Sequence, residues 1–407
     1  MAGSTLAHTT ATRTGRGRGL IEVLLVALRL GLTSFGGPIA HIGYFRTEYV
    51  ERRRWLDDHG FAELVALTQL LPGPASSQLG IAIGTVRAGR LGGLAAWLGF
   101  TLPSAIALAA FAFAVRDLDL ADAGWLHGLK VVAVAVVAQA VLSMARLLCP
   151  DRTRGSLAVA SAILVLAWSG VGAQLVALAA GALAGALALR GEGSAPRALP
   201  LRVGRRTAVV CLALFVGLLA LLPALRAATD AQPAAVADSF YRTGSLVFGG
   251  GHVVLPLLHE EVVQEGWVTN GDFVAGYGAA QAVPGPLSTF AAYLGAVAGP
   301  EPNGVPGAAL ALVAIFLPSF LLVWGVVPLW SAVRARPRVR AALLGVNAAV
   351  VGLLAAALYD PIWTSAIREP ADLALGLGLF ALLVLWRLPP LVVVALGAAG
   401  GAILGAV

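Results

Sequence analysis

The sequence is short of charge, of lysine and of cysteine, and each shortage removes a class of protein. Only 12% of its 407 residues are charged, against 58% hydrophobic, with a mean hydropathy of +0.85. So little polar surface cannot cover a water-soluble globule of this size. The one lysine, Lys130, sits in HGLKVV and forms no P-loop, which sets aside an ATP-driven pump. Cys149 and Cys211 stand in or beside apolar segments without CxxC spacing, so neither a metal site nor a disulfide framework is indicated. Nothing calls for a cofactor. An isoelectric point near 10.1 raises nucleic acid as a partner. The arginines, however, are spread over short loops, as the positive-inside rule spreads them, and nucleic acid is set aside.

What remains is apolar and helical. Residues 91 to 115 and 125 to 145 are long enough to cross a hydrocarbon core of ~30 Å, so the expected fold class is an all-α polytopic membrane protein in the lipid bilayer. The N-terminal stretch resembles a signal peptide, but Arg29 interrupts its apolar region and no clear cleavage site follows. It reads as a retained cytoplasmic arm, residues 1–19.

An internal repeat sets the architecture. RLGLTSFGG (29–37) lies over RTGSLVFGG (242–250) at an offset of 213, which matches Arg29 with Arg242, Gly36 with Gly249 and Gly37 with Gly250. At an offset of 212, Trp55 meets Trp267 and Gln69 meets Gln281. The same offset lays Pro72-Gly73-Pro74 over Pro284-Gly285-Pro286 and Ser76 over Ser288. FTLPS (100–104) answers IFLPS (315–319). Such duplication is a frame of secondary transporters.

Charge orients the copies. The loop after the first Phe-Gly-Gly carries Arg46, Arg52, Arg53 and Arg54, and its counterpart carries Glu260, Glu261, Glu265 and Asp272. The same loop is therefore expected on opposite membrane faces, giving two inverted repeats. The expected organisation is an N-terminal repeat at 20–190, a cytoplasmic linker at 191–206, a connecting transmembrane helix at 207–225 and an inverted C-terminal repeat at 236–407. Residues 61–71 and 75–86 are each about half a bilayer long, so they form a re-entrant hairpin with Pro-Gly-Pro at its tip near the midplane.

The chemistry is expected at these breaks. Proline suits a helix start, so helices are expected to restart at Pro74 and Pro286. The free backbone N–H groups at 75–77 and 287–289, with the hydroxyls of Ser76, Ser77, Ser288 and Thr289, then form an anion cradle. Helix starts after Gly37 and Gly250 add to it. Four N-termini at roughly +0.5 each give about +2, matching a divalent anion. Arg29 and Arg242, flanked by apolar residues, are costly in a bilayer and ask for a partner, and a tetrahedral oxyanion suits a guanidinium. The alternative is that each arginine pairs with carbonyls of a broken helix or reaches an interface. A plain kink is the alternative for Pro-Gly-Pro.

The FGG(P), RR.W, Q and PGP residues in this order closely resemble the chromate ion transporter (CHR) superfamily in its long, two-domain form, over about 20–390. The resemblance implies a multi-pass protein of the cytoplasmic (inner) membrane that exports chromate and confers chromate resistance, with sulfate as competitor. A homodimer is left open. Energetics favour export, since a dianion leaving a negative-inside cell gains ~2 × 2.3 kcal/mol per 100 mV without a coupling ion. Membrane carboxylates for proton coupling look scarce, with Glu22 and Glu63 in the first copy and no acidic match in the second. His41 and His252 follow the Phe-Gly-Gly breaks and read as structural or titrating residues. A proton-coupled sulfate or oxyanion importer, an anion channel and a scaffold without transport activity are the competing readings.

Overall fold

Matching start signals build matching helices in the two halves. Asp57 caps one helix by accepting from the Gly60 N–H at 2.8 Å, and Thr269, 212 residues on, caps another by accepting from the Asp272 N–H at 3.1 Å. Further along, Asp151 accepts from the Arg154 N–H at 2.9 Å, and Glu369 forms a capping box with Asp372. Each cap satisfies an orphan donor of a first helical turn. The structure is a computed structural model, and it describes residues 16–35, 37–117, 124–168, 171–190, 203–247, 254–326, 329 and 336–404. Gly36, Gly249, Gly250 and His252 lie outside the described residues, as do most of the 1–19 arm and of the 191–206 linker.

The described residues contain helices and no strands. The first half runs α1 (Arg16–Thr33), α2 (Gly37–Phe45), α3 (Asp58–Leu70), α4 (Ala75–Asp117), α5 (Gly124–Leu148), α6 (Arg152–Ala167) and α7 (Val171–Ala188). An added helix, α8 (Arg205–Thr229), leads to α9 (Gln232–Leu246), α10 (Val254–Val262), α11 (Asn270–Ala282), α12 (Phe290–Val297) and α13 (Gly304–Val326). The chain ends with α14 (Pro337–Ala357), α15 (Pro370–Val384) and α16 (Pro390–Leu404). Among the described residues, 5 helices are long and apolar enough to cross a membrane. On α8, Val209, Val210, Leu214 and Val216 are exposed, a face that suits lipid.

The short pieces lie where the sequence puts them. α3 has 13 residues and reaches about 20 Å, short of a full crossing. α4 is bent at Ala88 and Gly89, so its first arm ends there and a longer second arm follows. The free ends of the two broken pairs meet, because Glu22 of α1 binds Arg53 at 3.1 Å and Arg87 at 2.8 Å.

The two halves are inverted and interlocked. The second arm of α4 and α13 carry the matched FTLPS and IFLPS segments, and they run antiparallel. Trp324 donates to Thr85, Trp97 packs edge-on against Phe316 and Phe320, and Phe113 lies 3.7 Å from where a side chain at Gly304 would begin. Equivalent helices that run antiparallel are related by an axis across them, not along them, which is the inverted arrangement. Deeper in, Gly128 of α5 is in backbone contact with Gly397 and Gly401 of α16, and Gly345 of α14 with Gly181 and Gly185 of α7. Each half thus inserts its long helix against the small-residue face of the other, where only glycine allows so close an approach. His127 of α5 also bonds Asp372 of α15 at 2.7 Å.

Candidate functional site

The two Pro-Gly-Pro turns cross over between the halves. Gly73 has φ +118° and Gly285 φ +107°, a region only glycine enters readily. The Gly73 N–H donates to the Val247 carbonyl at 2.6 Å, and the Gly285 N–H donates to the Ser34 carbonyl at 2.9 Å. Ser34 and Val247 are themselves matched at the offset of 213, so each turn is tied to the end of the other half's first helix. A second exchange surrounds the first. The Ser319 hydroxyl lies 3.0 Å from the place a Gly73 side chain would occupy, and Ser104 lies 2.8 Å from the same place at Gly285.

The helix restart differs from expectation by one residue, and then between the halves. Pro74 is the cap of α4, its carbonyl accepting from the Gln78 N–H at 3.0 Å, so the helix begins at Ala75. In the second half Pro286 caps a 3-10 turn, Leu287–Thr289, before α12 begins at Phe290. The Thr289 N–H and hydroxyl both donate to the Pro286 carbonyl, at 3.0 and 2.7 Å. The cradle read at 287–289 therefore gives two of its donors to its own turn, because a tighter i→i+3 turn closes on the capping carbonyl.

Unpartnered polar side-chain atoms gather at both turns. Gln78 donates its amide N–H to the Pro72 carbonyl at 2.5 Å, and its Oε1 has no partner. Ser77 Oγ and Ser319 Oγ are likewise buried without a hydrogen-bond partner, as are Ser34 Oγ and Thr101 Oγ1. Ser104 differs from Ser319 in donating to the Thr101 carbonyl at 3.0 Å. Ser76 and Ser288 are buried. Gln281 approaches Tyr277 and leaves its Nε2 unpartnered, while the Gln69 side chain lies outside the described residues. Unmet polar groups in a protein interior are costly, so their gathering at the two crossed turns marks a candidate site. His41 is buried, with Nε2 3.2 Å from the Ser34 carbonyl and its ring edge-on to Phe100.

The arginines are not brought to these turns. Arg29 lines a cavity of ≈ 640 Å³ together with Thr33, Tyr44, Thr47, Glu48 and Arg52. Arg242 instead binds Asp238 at 2.7 Å and Glu261 at 3.2 Å, and Arg226 of α8 reaches Glu265 at 2.8 Å. Glu48 and Glu261, matched at the offset of 213, are both buried. Sequence reasoning missed them, and Asp238, when it judged carboxylates scarce. The signal was present in the Arg29 and Arg242 register, but the one-residue shift before Trp55 hid it. Burial pushes the Glu48 carboxyl up, but Arg53 at 2.7 Å and Arg52 at 3.3 Å, with Arg29 behind them, hold it below the usual carboxylate range. Beside these clusters Arg53 and Arg87 lie 5.7 and 5.2 Å from the Trp55 ring centre, and Arg226 lies 5.9 Å from that of Trp267.

Antiparallel equivalent helices, broken short pairs and exposed apolar faces define a multi-pass membrane transporter built from two inverted repeats. The family model described as chromate transporter matches residues 21–186 and 234–402, one match per repeat, and the chain belongs to that family. It is 31% identical to the chromate transport protein of Pseudomonas aeruginosa, over 92% of this chain and 89% of that one. It is 30% identical to the chromate transport protein of Cupriavidus metallidurans, over 98% and 94%. The probable chromate transport protein of Synechococcus elongatus is 28% identical over 92% and 93%. No solved structure matches.

Proposed function

We propose that this protein is a secondary transporter that carries chromate out of the cell across the cytoplasmic membrane and so confers chromate resistance. The carrying observation is the crossed pair of Pro-Gly-Pro turns, Gly73 to Val247 and Gly285 to Ser34, with unpartnered polar groups gathered around both. A bond from one repeat to the other at each break lets the repeats move against each other around a common point, as alternating access requires. The names of the relatives supply chromate as the substrate, and sulfate, another tetrahedral dianion, is the expected competitor. In this reading Gly36, Gly37, Gly249 and Gly250 let the backbone approach the ion, Gln69 and Gln281 flank it, and the N-terminus of α4 faces it. The N-terminal arm and the arginine-rich loop at 46–54 lie in the cytoplasm.

Direction follows from charge. A dianion leaving a negative-inside cell gains ~2 × 2.3 kcal/mol per 100 mV, about three decades of gradient. The test is uptake of labelled chromate and sulfate into everted vesicles with an imposed potential, positive inside the vesicle. Potential-driven chromate uptake that sulfate reduces is the expected result. Uptake only with an opposing proton gradient would overturn the uncoupled form, and single-channel currents would replace a carrier by a channel. Proton coupling has one observation in its favour, the buried Glu48, Asp238 and Glu261.

A further inference from the structure

Arg29 is the one member of its matched pair that makes no ion pair among the described residues. Among the described residues it has no carboxylate within ion-pair distance, because both oxygens of Glu48 are taken by Arg53 and Arg52. A guanidinium without an ion pair along an apolar helix is costly, and Arg29, exposed where the cavity opens, lies about 16 Å along α1 from Arg18. It faces the ≈ 640 Å³ cavity between α1 and α2, whose other polar lining is Thr33, Thr47, Tyr44, Arg52 and the occupied Glu48. Because α2 returns along α1, these groups are graded in depth. Arg52 stands near the loop, Thr47 below it, and Arg29 and Thr33 deepest, Arg29 about one and a half turns before Ser34 and Thr33 next to it, and the Ser34 carbonyl receives the Gly285 N–H.

The second repeat shows what such a place holds when it is filled. There the matched arginine, Arg242, is met by two carboxylates, Asp238 at 2.7 Å and Glu261 at 3.2 Å, both buried. Two carboxylates present the oxygen ligands and the double negative charge that a tetrahedral dianion would bring.

We propose that the cavity of the first repeat is a docking site for a divalent tetrahedral oxyanion, held between Arg29 and Arg52 and oriented by the Thr47 and Tyr44 hydroxyls, the Thr33 hydroxyl being given to the Arg29 carbonyl at 2.8 Å. Asp238 and Glu261 fill the equivalent site of the second repeat with the protein's own anions. The inference rests on the proposed oxyanion transport and adds to it an entrance leading toward the crossed turns. A guanidinium fork and hydroxyls also suit the phosphate of a lipid headgroup, and the ligand source is settled by experiment.

The experiment measures equilibrium binding of labelled sulfate and chromate to the purified full chain in a phosphate-free maltoside detergent, with and without added phosphatidylglycerol. Arg29→Gln should weaken sulfate binding at least tenfold, Arg29→Lys less, and Arg52→Gln three- to tenfold. Thr47→Val should cost two- to fivefold. Arg52 is exposed, so its variant keeps the test open if the Arg29 variants fail to insert. Asp238→Asn combined with Glu261→Gln should create a second class of sulfate site, which a merely structural role for those carboxylates does not produce. Wild-type affinity in both Arg29→Gln and Arg52→Gln, in protein that still transports chromate, overturns the docking site alone. Displacement of all bound sulfate by phosphatidylglycerol, with transport unaffected by Arg29→Gln, assigns the cavity to a lipid headgroup and overturns it too. A wild-type chain that neither binds nor moves either ion overturns the transport reading together with the site.

Discussion

In the first repeat Glu48 is held by Arg52 and Arg53, and Arg29 is left facing a cavity; in the second, the places of those two arginines hold Glu265 and Gly266, and Glu261 turns to Arg242. The change of these two loop residues, together with Asp238 in α9 where the first repeat has Leu25, reverses the state of a guanidinium in a helix. The acidic second loop also needs cations, and the added helix α8 supplies Arg226, which reaches Glu265 and lies near Asp238 and Glu261. At the Pro-Gly-Pro turns, by contrast, the repeats agree in backbone angle, donor and acceptor. A duplicated chain can keep its turns symmetric while its charged groups diverge, because the turns bond the two repeats to each other and the charged loops do not.

The all-or-none test of that comparison is topological. Reporters placed in 52–59 and in 260–270 should label from opposite faces of the membrane, and labelling from one face would break the inversion. Next in size are the turn glycines. Gly73→Ala and Gly285→Ala force a side chain into positive φ and against Ser319 or Ser104, so both should lose most inserted protein, measured as membrane level and thermal stability. A variant that retains wild-type Tm shows that the turn relaxes and that the symmetry there is not required.

The prolines sharpen the difference. Pro74→Ala lets the first turn close into a longer helix and remove donors at 75–77. Loss of two bonds to a charged ligand, at ~1.5 to 3 kcal/mol each, should weaken apparent chromate affinity at least tenfold. Pro286→Ala should weaken it less, because the 3-10 turn already uses the Thr289 donors. Equal losses in efflux assays would restore full equivalence of the two breaks. The smallest effects come from hydroxyls. Ser77→Ala should reduce chromate affinity a few-fold, whereas Thr289→Val should leave affinity unchanged and lower stability by about 1 kcal/mol, read from efflux kinetics and thermal melts.

Much of this molecule could be read along the chain. Hydropathy gave the class of protein, because a bilayer accepts only long apolar helices. Matching offsets gave the repeat, and proline and glycine gave the breaks to within a residue, since both act through the backbone dihedrals of their own position. The caps at Asp57 and Thr269 are equally local. What the chain could not show is which group meets which across the repeats. That Gly73 bonds to Val247, that Ser319 stands over Gly73, and that Arg242 is neutralised while Arg29 is not depend on distances between residues far apart in sequence. Periodicity and offset assign equivalence, but hydrogen bonds and ion pairs act over a few ångströms in space, so only the packing of the two inverted halves decided them.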